Sequence, residues 1–353
     1  MTERALATIR KIEEIAPIEG ADKIEVARVG GWRVVVKKGE FQVGQLAVYF
    51  EIDSWIPHDL APFLTRPGKE PAEFNGVKGQ RLRTVRLRGQ ISQGLLLPII
   101  DTCGMDFIGF TVNGFFVTGN YNEGDDFTEK LNVQKWEKPI PSNMQGIMRG
   151  NFPSCVPKTD QERVQNIKTS VLEQYVGHHF EVTEKMDGSS CTMLLDSEGL
   201  FHVCSRNVDL ERDESNVYWQ MAIKYDVKAK LRELIALGGS MAIQGEICGP
   251  GIQGNQYEFT EPDFFVYDMY DPGTATYCPP GIRQSIVEAL GLKHVPVIVM
   301  GTLQSANRDV LLEDAKDCSV FNKTPREGLV FKLNSKDRFS FKVISNDWLE
   351  KYE

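Results

Sequence analysis

The sequence predicts an α+β fold in which a small β-barrel precedes a mixed domain of sheets and helices. Three observations indicate this arrangement. The chain has 353 residues, which is more than one hydrophobic core comfortably accommodates, so two domains are expected. Residues 1–131 contain short alternating runs and glycine-rich turns. From Phe180 onward, strand-like runs alternate with helical segments, which is typical of a mixed domain.

Alternating residues predict the strands of the barrel. Ala5–Ile9 and Ile24–Val29 alternate with the period of two that a strand requires. A Gly-Gly pair then predicts a hairpin into Trp32–Val36, and Leu46–Phe50 predicts a further strand. Several short strands with little helical periodicity favour a closed barrel of the OB type. Another small β-barrel or a sandwich is the alternative.

A basic hairpin follows within the same region. Its four arginines, interspersed with Leu and Val, are Arg81, Arg83, Arg86 and Arg88. Such a surface is typical of contact with the phosphates of a polynucleotide or a nucleotide. An edge strand protected by charge is the alternative, and the sequence leaves both open.

A proline-rich stretch separates the two predicted domains. We expect a β-barrel domain at 1–131, a linker at 132–157 and a mixed α+β domain at 158–353. Thr159 or Asp160 is a candidate N-cap, so a helix is predicted over residues 161–166.

Composition limits the class of protein. The net charge of −9 argues against a uniformly basic nucleic-acid coat and leaves room for a local basic groove. Seven scattered cysteines without a C-x-x-C pair predict reduced thiols in the cytoplasm or another reducing intracellular compartment. No signal peptide is visible, and the most apolar region is interrupted by proline and aspartate, so no membrane span is expected.

The segment Lys185–Gly188 carries the most specific chemistry. Lysine is a poor nucleophile while protonated, and burial or a nearby cation would lower its pKa and free the amine. The glycine allows the backbone to turn and approach a ligand closely. A chain of this length shows the pattern K-x-D-G by accident roughly one time in ten, so the downstream residues decide its meaning.

Segments after Lys185 supply the other groups that nucleotidyl transfer needs. They include carboxylates for a hydrated metal ion, an aromatic face for a base, and cations for phosphate oxygens. Each residue alone has a surface or core role as its alternative. The candidates are Arg206, Glu246, Phe265, Tyr267, Glu327, Lys332 and Lys342.

In this order the motifs resemble those of the covalent nucleotidyltransferases, which include ATP-dependent ligases and mRNA capping enzymes. Residues 245–253 look like those of RNA ligases of the RNA ligase 2 type, and residues 152–166 are similar to ligases with an N-terminal OB module. Eleven residues follow Lys342, so the C-terminal OB domain of DNA ligases is not expected. The resemblance implies an OB-like β-barrel followed by a ligase-type nucleotidyltransferase domain of antiparallel sheets and helices.

The resemblance implies an ATP-dependent, AMP-forming RNA ligase. Lys185 would attack the α-phosphate of ATP and become lysyl-AMP. The AMP would pass to an RNA 5′-phosphate, and an RNA 3′-OH would displace it. The expected partners are ATP and RNA ends or a nicked RNA duplex, whose template strand is RNA or DNA, with nick sealing in RNA repair as the role. No membrane and no obligate protein partner are expected.

The resemblance also implies a role for each site residue. Glu184 would contact the adenine amino edge, Arg206 the ribose or a phosphate, and Tyr267 would stack on adenine, with Phe265 as the second candidate. Two divalent ions, Mg²⁺ or Mn²⁺, are expected. The remaining implied roles are metal binding by Asp187, Glu246 and Glu327 and contact with the α-phosphate by Lys332 and Lys342.

Two positions depart from the RNA ligase 2 pattern and concern the RNA 5′-phosphate. Ser190 stands where an asparagine is usual, and Ile344 stands where a second lysine is usual. Lys336 and Arg338 are candidates to replace that lysine. A DNA ligase, a GTP-using capping enzyme and a non-catalytic RNA-binding protein with a ligase fold are the alternatives.

Overall fold

The computed structural model describes residues 4–100, 109–111, 114–116, 121–136, 148–196, 198–236, 241–335 and 338–352. The chain divides into two compact units, residues 2–138 with 350–353, and residues 139–349. Residues 137–147 of the predicted linker lie outside the described residues. The boundaries at 131 and 157 therefore stay a prediction.

Short strands build the first unit, as the alternating runs predict. Its strands are β1 (Ala7–Lys11), β2 (Glu14–Pro17), β3 (Ile24–Val29), β4 (Trp32–Lys37), β5 (Leu46–Phe50), β6 (Ser54–Pro57), β7 (Ala72–Phe74), β8 (Val77–Arg81), β9 (Thr84–Leu87), β10 (Gln90–Gln93), β11 (Leu95–Ile100), β12 (Gly109–Thr111), β13 (Gly114–Phe116) and β14 (Gln134–Lys135), with a 3-10 turn at Pro62–Leu64. They form sheets in the orders β1-β5-β11-β13-β12, β2-β3-β4, β14-β6-β8-β7 and β10-β9.

Apolar side chains from alternate positions fill the core of this unit. Ile9, Val48 and Phe50 are fully buried in one cluster, because β1 and β5 are antiparallel neighbours with their apolar faces on the same side. The sequence predicts β3 and β5 with the observed bounds. The strand expected at 5–9 begins two residues later than predicted.

The basic hairpin is divided between two strands rather than lying on one. Arg81 ends β8, where Asp53 lies 2.5 Å from its guanidinium and Trp136 stacks 3.8 Å from it. Arg81 therefore makes contacts within this unit. Arg83, Arg86 and Arg88 are exposed on or beside β9. For these three arginines both interpretations stay open.

Strands and short helices alternate in the second unit. Its strands are β15 (Met148–Asn151), β16 (Glu162–Arg163), β17 (His179–Lys185), β18 (Ser189–Leu195), β19 (Phe201–Cys204), β20 (Val208–Leu210), β21 (Ala242–Cys248), β22 (Asp263–Asp271), β23 (Thr276–Tyr277), β24 (Lys293–His294), β25 (Val297–Thr302), β26 (Gly328–Leu333) and β27 (Ser340–Ile344). Its helices are α1 (Thr169–Glu173), α2 (Val217–Lys224), α3 (Val227–Ala236), α4 (Pro280–Ala289) and α5 (Arg308–Asp314), with a 3-10 turn at Val164–Asn166, and α6 (Asn346–Tyr352) begins in this unit.

Two sheets organise this unit. The larger has the order β15-β20-β19-β18-β21-β22-β23, with β24 beside β22, and the smaller has the order β16-β27-β26-β17-β25. The larger sheet packs against α2 and α3, whose Tyr218 and Leu231 are buried in its core. Asn216 caps α2, since its side chain accepts a hydrogen bond of 3.0 Å from the Tyr218 amide. No helix in the described part of the chain is long and apolar enough to cross a membrane.

The smaller sheet has one apolar face and one polar face. Phe180 and Val182 of β17 are buried in a core with Phe331 and Phe341. Because side chains alternate along a strand, Glu181, Thr183 and Lys185 project to the opposite side. We call this side of the smaller sheet the catalytic face.

The helix predicted over residues 161–166 is wrong. Glu162 and Arg163 form β16, which pairs in parallel with β27, and a 3-10 turn follows. The candidate caps are used elsewhere, since Thr159 contacts Ser190 and Asp160 contacts Arg206. Pairing with a distant strand therefore overrides the local capping signal.

Candidate active site

Lys185 lies where β17 ends, beside the start of β26. Lys185 and Gly328 are register partners, and Gly328 is in turn the partner of Ile344. A Cβ atom on Gly328 would lie 2.1 Å from the carbonyl oxygen of Val343, so a side chain would push the strands apart. The glycine thus lets β26 start next to Lys185, which brings the preceding residue, Glu327, to the lysine.

Lys185 and Glu327 form a close ion pair. The Nζ atom of Lys185 donates a hydrogen bond of 2.8 Å to Oε2 of Glu327 and lies 2.7 Å from Oε1. Burial lowers the pKa of Lys185, but the nearby carboxylates of Glu327, Glu246 and Asp187 outweigh burial and raise it. Of the two routes to a neutral amine that the sequence indicates, burial is therefore not sufficient, and a nearby cation is left.

The turn after Lys185 lies flat against β21. A Cβ atom on Gly188 would lie 2.4 Å from the carbonyl oxygen of Ile247 and 2.7 Å from Cγ of Glu246. The amide of Asp187 donates a hydrogen bond of 2.6 Å to the hydroxyl of Tyr257. These contacts hold the K-x-D-G turn next to Glu246, which explains why this turn needs a glycine.

Glu246 has a raised pKa, chiefly because its carboxyl is buried and also because other acidic groups share the site. Burial raises its pKa from 4.5 to about 8, and Glu327 and Asp187 add to this effect, while Lys185 and Arg206 oppose it. Without a bound cation, the folded protein therefore favours a proton on the Glu246 carboxyl more than water does. A cation placed near these groups would favour the charged form.

The three acidic residues suit a hydrated ion better than direct coordination. In the part of the chain that the structure describes, no group of three or more His, Cys, Asp or Glu side chains is arranged to hold a metal ion. Asp187, Glu246 and Glu327 nevertheless provide the carboxylate oxygens that Mg²⁺ prefers, and Mg²⁺ usually keeps several of its waters. These three residues therefore fit a divalent ion that is bound partly through water molecules.

Of the two candidate aromatic residues, Tyr267 is the more accessible. Tyr267 is half-buried, and its hydroxyl lies 2.8 Å from the hydroxyl of Ser190. Burial raises the pKa of Tyr267 well above its usual value, so the phenol stays neutral. Phe265 is 5% exposed and packs among Phe259 and Phe321, with ring centroids 5.7 and 5.5 Å away. Phe265 is thus a core residue, although it neighbours the site.

Glu184 lies on the side of β17 opposite to Lys185. It is 1% exposed, and its Oε2 accepts a hydrogen bond of 3.0 Å from the amide of Val320. Its Oε1 is buried without a hydrogen-bond partner among the described residues. Burial raises the pKa of Glu184, although hydrogen bonds from Ser319 and Val320 oppose this effect. The side chain therefore presents an acceptor that a donor group would satisfy.

Lys332 is engaged by an ion-pair network. Its Nζ donates a hydrogen bond to the carbonyl oxygen of Tyr267 and lies 3.1 Å from Oδ1 of Asp268. Burial lowers the pKa of Lys332 to about 7, with Arg283 and Arg338 adding to the effect and Asp268 opposing it. The resemblance assigns Lys332 to the α-phosphate, but in this structure its amine contacts Tyr267 and Asp268.

The same network joins the two sheets. Arg283 of α4 pairs with Glu181 of β17 and lies 3.3 Å from Asp268 of β22. Burial alone would raise the pKa of Asp268, but Lys332, Arg338 and Arg283 outweigh it and hold that pKa well below its usual range.

The network includes one of the two candidate substitutes for the missing lysine. Arg338 makes two hydrogen bonds to Asp268, of 2.7 and 3.0 Å, and its guanidinium lies 3.6 Å from the ring of Tyr277. Arg338 is therefore committed to the network. Lys336, the other candidate, lies outside the described residues.

Sequence reasoning missed the segment that precedes β16. Thr159 lies 3.1 Å from the hydroxyl of Ser190, and Asp160 pairs with Arg206 at 2.6 Å. The next residue, Gln161, accepts a hydrogen bond of 2.5 Å from Ser340, at the start of β27. Three consecutive polar residues thus contact three separate parts of the site. In the sequence, this segment indicates only a resemblance to other ligases and a helix cap, and it assigns no site role to these three side chains.

Lys342 completes the set of predicted site residues. It is half-buried on β27, where Val330 and Arg163 are its register partners on the two neighbouring strands. Lys342 therefore lies on the catalytic face, two residues along β27 from the partner of Gly328.

Comparisons with known proteins agree with this architecture. A family model described as an OB-fold domain matches residues 6–99, and one described as RNA ligase matches residues 178–344. These matches confirm the predicted OB-type barrel and the predicted ligase-type domain. A comparison with curated proteins gives no match.

Solved structures of the Naegleria gruberi RNA ligase are similar to nearly the whole chain. The structure with PPi has a TM-score of 0.86 and 42% sequence identity, and the similarity covers 99% of each chain. The structure of a mutant with ATP and Mn has a TM-score of 0.84 and 40% sequence identity, and the similarity covers 98% of each chain. The structure of a mutant with AMP and Mn has a TM-score of 0.85 and 40% sequence identity, and the similarity covers 99% of each chain. By identity and coverage, this chain belongs to the RNA ligase family.

Proposed function

We propose that this chain is an ATP-dependent RNA ligase that joins RNA 3′-OH and 5′-phosphate ends through lysyl-AMP and RNA-adenylate. The observation that carries the proposal is the position of Lys185, which is hydrogen-bonded to Glu327 and close enough to Glu246 and Asp187 for their charges to raise its pKa. The similar ligase structures contain ATP, AMP or PPi, which are the substrate, the transferred group and the leaving group of lysine adenylylation. ATP and a divalent metal are therefore the cofactors that this family supports.

Lys185 is the nucleophile, and its neighbours control its proton. The carboxylates favour the ammonium form, so the lysine must lose a proton before its Nζ can attack the α-phosphate. A divalent ion held by Asp187, Glu246 and Glu327, partly through water, would supply positive charge that favours the neutral amine and stabilises charge on the phosphate, and a second ion would neutralise the pyrophosphate. Glu327 orients Nζ through its hydrogen bond.

Three residues are proposed to bind the nucleoside. Tyr267 would stack on adenine, because its ring is accessible while that of Phe265 is packed in the core. Glu184 would accept a hydrogen bond from the adenine amino group, and its buried acceptor without a partner supports this role. Arg206, which Asp160 holds by an ion pair, would contact the ribose or a phosphate.

Two lysines are proposed to serve the α-phosphate in different ways. Lys342 is half-buried on the catalytic face, and its charge would stabilise the phosphate in the transition state. Lys332 is held by Asp268 and the carbonyl of Tyr267, so it would reach a phosphate only after exchanging one of these contacts.

RNA ends and nicked RNA duplexes are the proposed substrates, with a template strand of RNA or DNA and a role in RNA repair. No obligate protein partner is proposed. The thiols of Cys155, Cys191, Cys204, Cys248, Cys278 and Cys318 are free, which supports a reducing compartment such as the cytoplasm.

Labelling with nucleotides tests the proposal. The wild type and the Lys185→Ala variant are incubated with magnesium and labelled ATP, GTP or NAD, and the label on the protein is measured. Only the wild type with ATP should carry label, and mass spectrometry should place AMP on Lys185. Wild-type protein that never acquires AMP would contradict the proposal and favour a non-catalytic RNA-binding role.

Nicked duplexes then define the substrate. A 3′-OH/5′-phosphate nick is built with each of its three strands as RNA or DNA, and sealing is followed on gels. We expect sealing only where the strand that provides the 3′-OH is RNA. Equal sealing of all-DNA nicks would contradict RNA specificity without affecting lysine adenylylation.

A further inference from the structure

Tyr267 occupies the extra position of a β-bulge. Val266 of β22 is the register partner of Gly245 on β21. The preceding residue of β21, Gln244, is the partner of Asp268. β22 thus carries one residue more than β21 between these pairs, and that residue is Tyr267. A bulge redirects the side chain of its extra residue, and bulges are frequent beside active sites. The regular pairing of the two strands therefore does not determine where the Tyr267 ring points.

A chain of three hydroxyl groups ends on this ring. The hydroxyl of Tyr267 lies 2.8 Å from that of Ser190, and the hydroxyl of Ser190 lies 3.1 Å from that of Thr159. The three residues belong to β22, to β18 and to the segment before β16. A hydroxyl both donates and accepts, so each contact can form whichever group gives the proton. Because these contacts are made at the far end of the tyrosine, they fix the orientation of its ring.

Thr159 is held in place through its neighbours in the chain. The carbonyl oxygen of Pro157 accepts a hydrogen bond of 3.0 Å from the side-chain amide of Gln244, which is fully buried beside the bulge. On the other side of Thr159, Asp160 pairs with Arg206 at 2.6 Å. The hydroxyl chain therefore ends on a fixed point of the fold.

The orientation of the ring matters because one side of it is already occupied. Lys332 is 3% exposed and lies over the Tyr267 ring, with its Nζ 5.4 Å from the ring centroid. We therefore expect a base on the side away from Lys332. Stacked rings attract each other only in certain relative orientations, and a ring that is already oriented loses less freedom when its ligand binds. Fixing the tyrosine should thus increase the affinity for the base.

We propose that Ser190 and Thr159 are positioning residues for nucleotide binding, which hold the ring of Tyr267 in the orientation in which adenine stacks on it. The inference rests on the proposed function, because it concerns adenine at the same site. It also gives a use to Ser190, one of the two positions at which the sequence departs from the RNA ligase 2 pattern. Ser190 then serves the binding of ATP and not the handling of the RNA 5′-phosphate.

The test measures the nucleotide step and an RNA step separately. Lysyl-AMP formation is followed in single turnovers at increasing ATP concentrations, which gives a maximal rate and a half-saturating concentration. Sealing of a pre-adenylylated nick, at saturating nick and without ATP, gives the RNA step. The variants are Ser190→Ala and Tyr267→Phe. The control is Tyr225→Phe, which removes a tyrosine hydroxyl that is hydrogen-bonded to Asp263 in the same unit.

Both variants should raise the half-saturating ATP concentration about three- to tenfold, because each loses a hydrogen bond that orients the ring. The maximal rate and the sealing rate should match those of the wild type and of Tyr225→Phe. Adding Tyr267→Phe to Ser190→Ala should change little further, since both substitutions break the same contact. Thr159→Val should raise the half-saturating concentration less, and Thr159→Ser, which keeps the hydroxyl, should behave as the wild type.

An unchanged half-saturating ATP concentration in the variants that fold, as judged by thermal melting, overturns the inference. A loss confined to sealing of the pre-adenylylated nick also overturns it, because Ser190 would then act on the RNA. If Ser190→Ala does not fold, Tyr267→Phe carries the test, since it keeps the ring and loses only the hydroxyl. Failure of the proposed function looks different, because the wild type itself would then form no lysyl-AMP.

Discussion

Lys185 ends β17 and Glu327 immediately precedes β26 of the same sheet, and the lysine Nζ is within 2.8 Å of both carboxylate oxygens of the glutamate. The pair explains how a nucleophile can be held in place and kept unreactive by the same contact. The pKa of Lys185 therefore depends on its neighbouring carboxylates, and substitutions can change these one at a time.

Replacing Glu327 with glutamine should lower the pKa of Lys185, because Glu327 contributes most among the carboxylates that raise it. The measurement is the pH dependence of Lys185 modification by an amine-reactive reagent, read by mass spectrometry in EDTA. The variant should react at lower pH than the wild type. Glu313→Gln, a change of a glutamate whose side chain is 72% exposed, is the control. Identical profiles for Glu327→Gln and wild type would contradict the ion pair.

Glu246 predicts a dependence of stability on pH. Its carboxyl binds a proton up to a pH of about 8 in the folded protein, against 4.5 as its ordinary value. The folded state therefore holds more protons between these values, and its stability falls as the pH rises through this window. Glutamine does not titrate, so Glu246→Gln should gain stability relative to wild type as the pH is raised from 5 to 8. Urea unfolding in EDTA measures this, and a constant difference across the window would disprove the shift.

Gly188→Ala should disrupt the nucleophile turn. The new Cβ would lie 2.4 Å from the Ile247 carbonyl oxygen, so the turn must move away from β21. We expect a loss of about 1–3 kcal/mol in unfolding free energy and a larger loss of lysyl-AMP formation. Gly281→Ala is the control, since a Cβ there meets nothing within 4 Å. Normal adenylylation by Gly188→Ala would show that the close approach is unnecessary.

Asp268→Asn should destabilise the second unit. The change removes the carboxylate that neutralises Lys332, Arg283 and Arg338 in a buried site. Breaking a buried ion pair from one side typically costs about 3–5 kcal/mol of unfolding free energy. Adding Lys332→Met to the variant should restore part of this loss, because one unneutralised cation is removed. Chemical denaturation measures both effects. No recovery in the double variant would mean that the residues act independently.

The sequence predicts most of the local structure and much of the site. The observed bounds of β3 and β5 match the predicted runs, because alternating apolar residues determine which positions can face a core. The K-x-D-G turn, Glu246 and Glu327 come together as the order of the motifs implies. Local patterns and the order of chemically distinctive residues are sufficient to predict these strands and these site residues.

Contacts between distant segments could not be predicted. Nothing near Lys332 in the sequence indicates that Asp268 and a carbonyl on another sheet would hold its ammonium. The polar run at Thr159 and Asp160 predicts a helix cap, whereas pairing with β27 turns the same residues toward the site. These outcomes depend on which surfaces meet, and local propensity carries no information about that.

The buried network around Arg283 has a mechanical consequence. The guanidinium of Arg283 is fully buried and forms ion pairs with Glu181 in one sheet and Asp268 in the other. If the sheets slid past each other, these pairs would break and leave buried charges without a partner, which is costly. The nucleotidyltransferase core should therefore behave as a stiff body. Any movement that accompanies turnover must then come from loops or from hinges at its periphery, and hydrogen exchange should be slowest in β17 and β22.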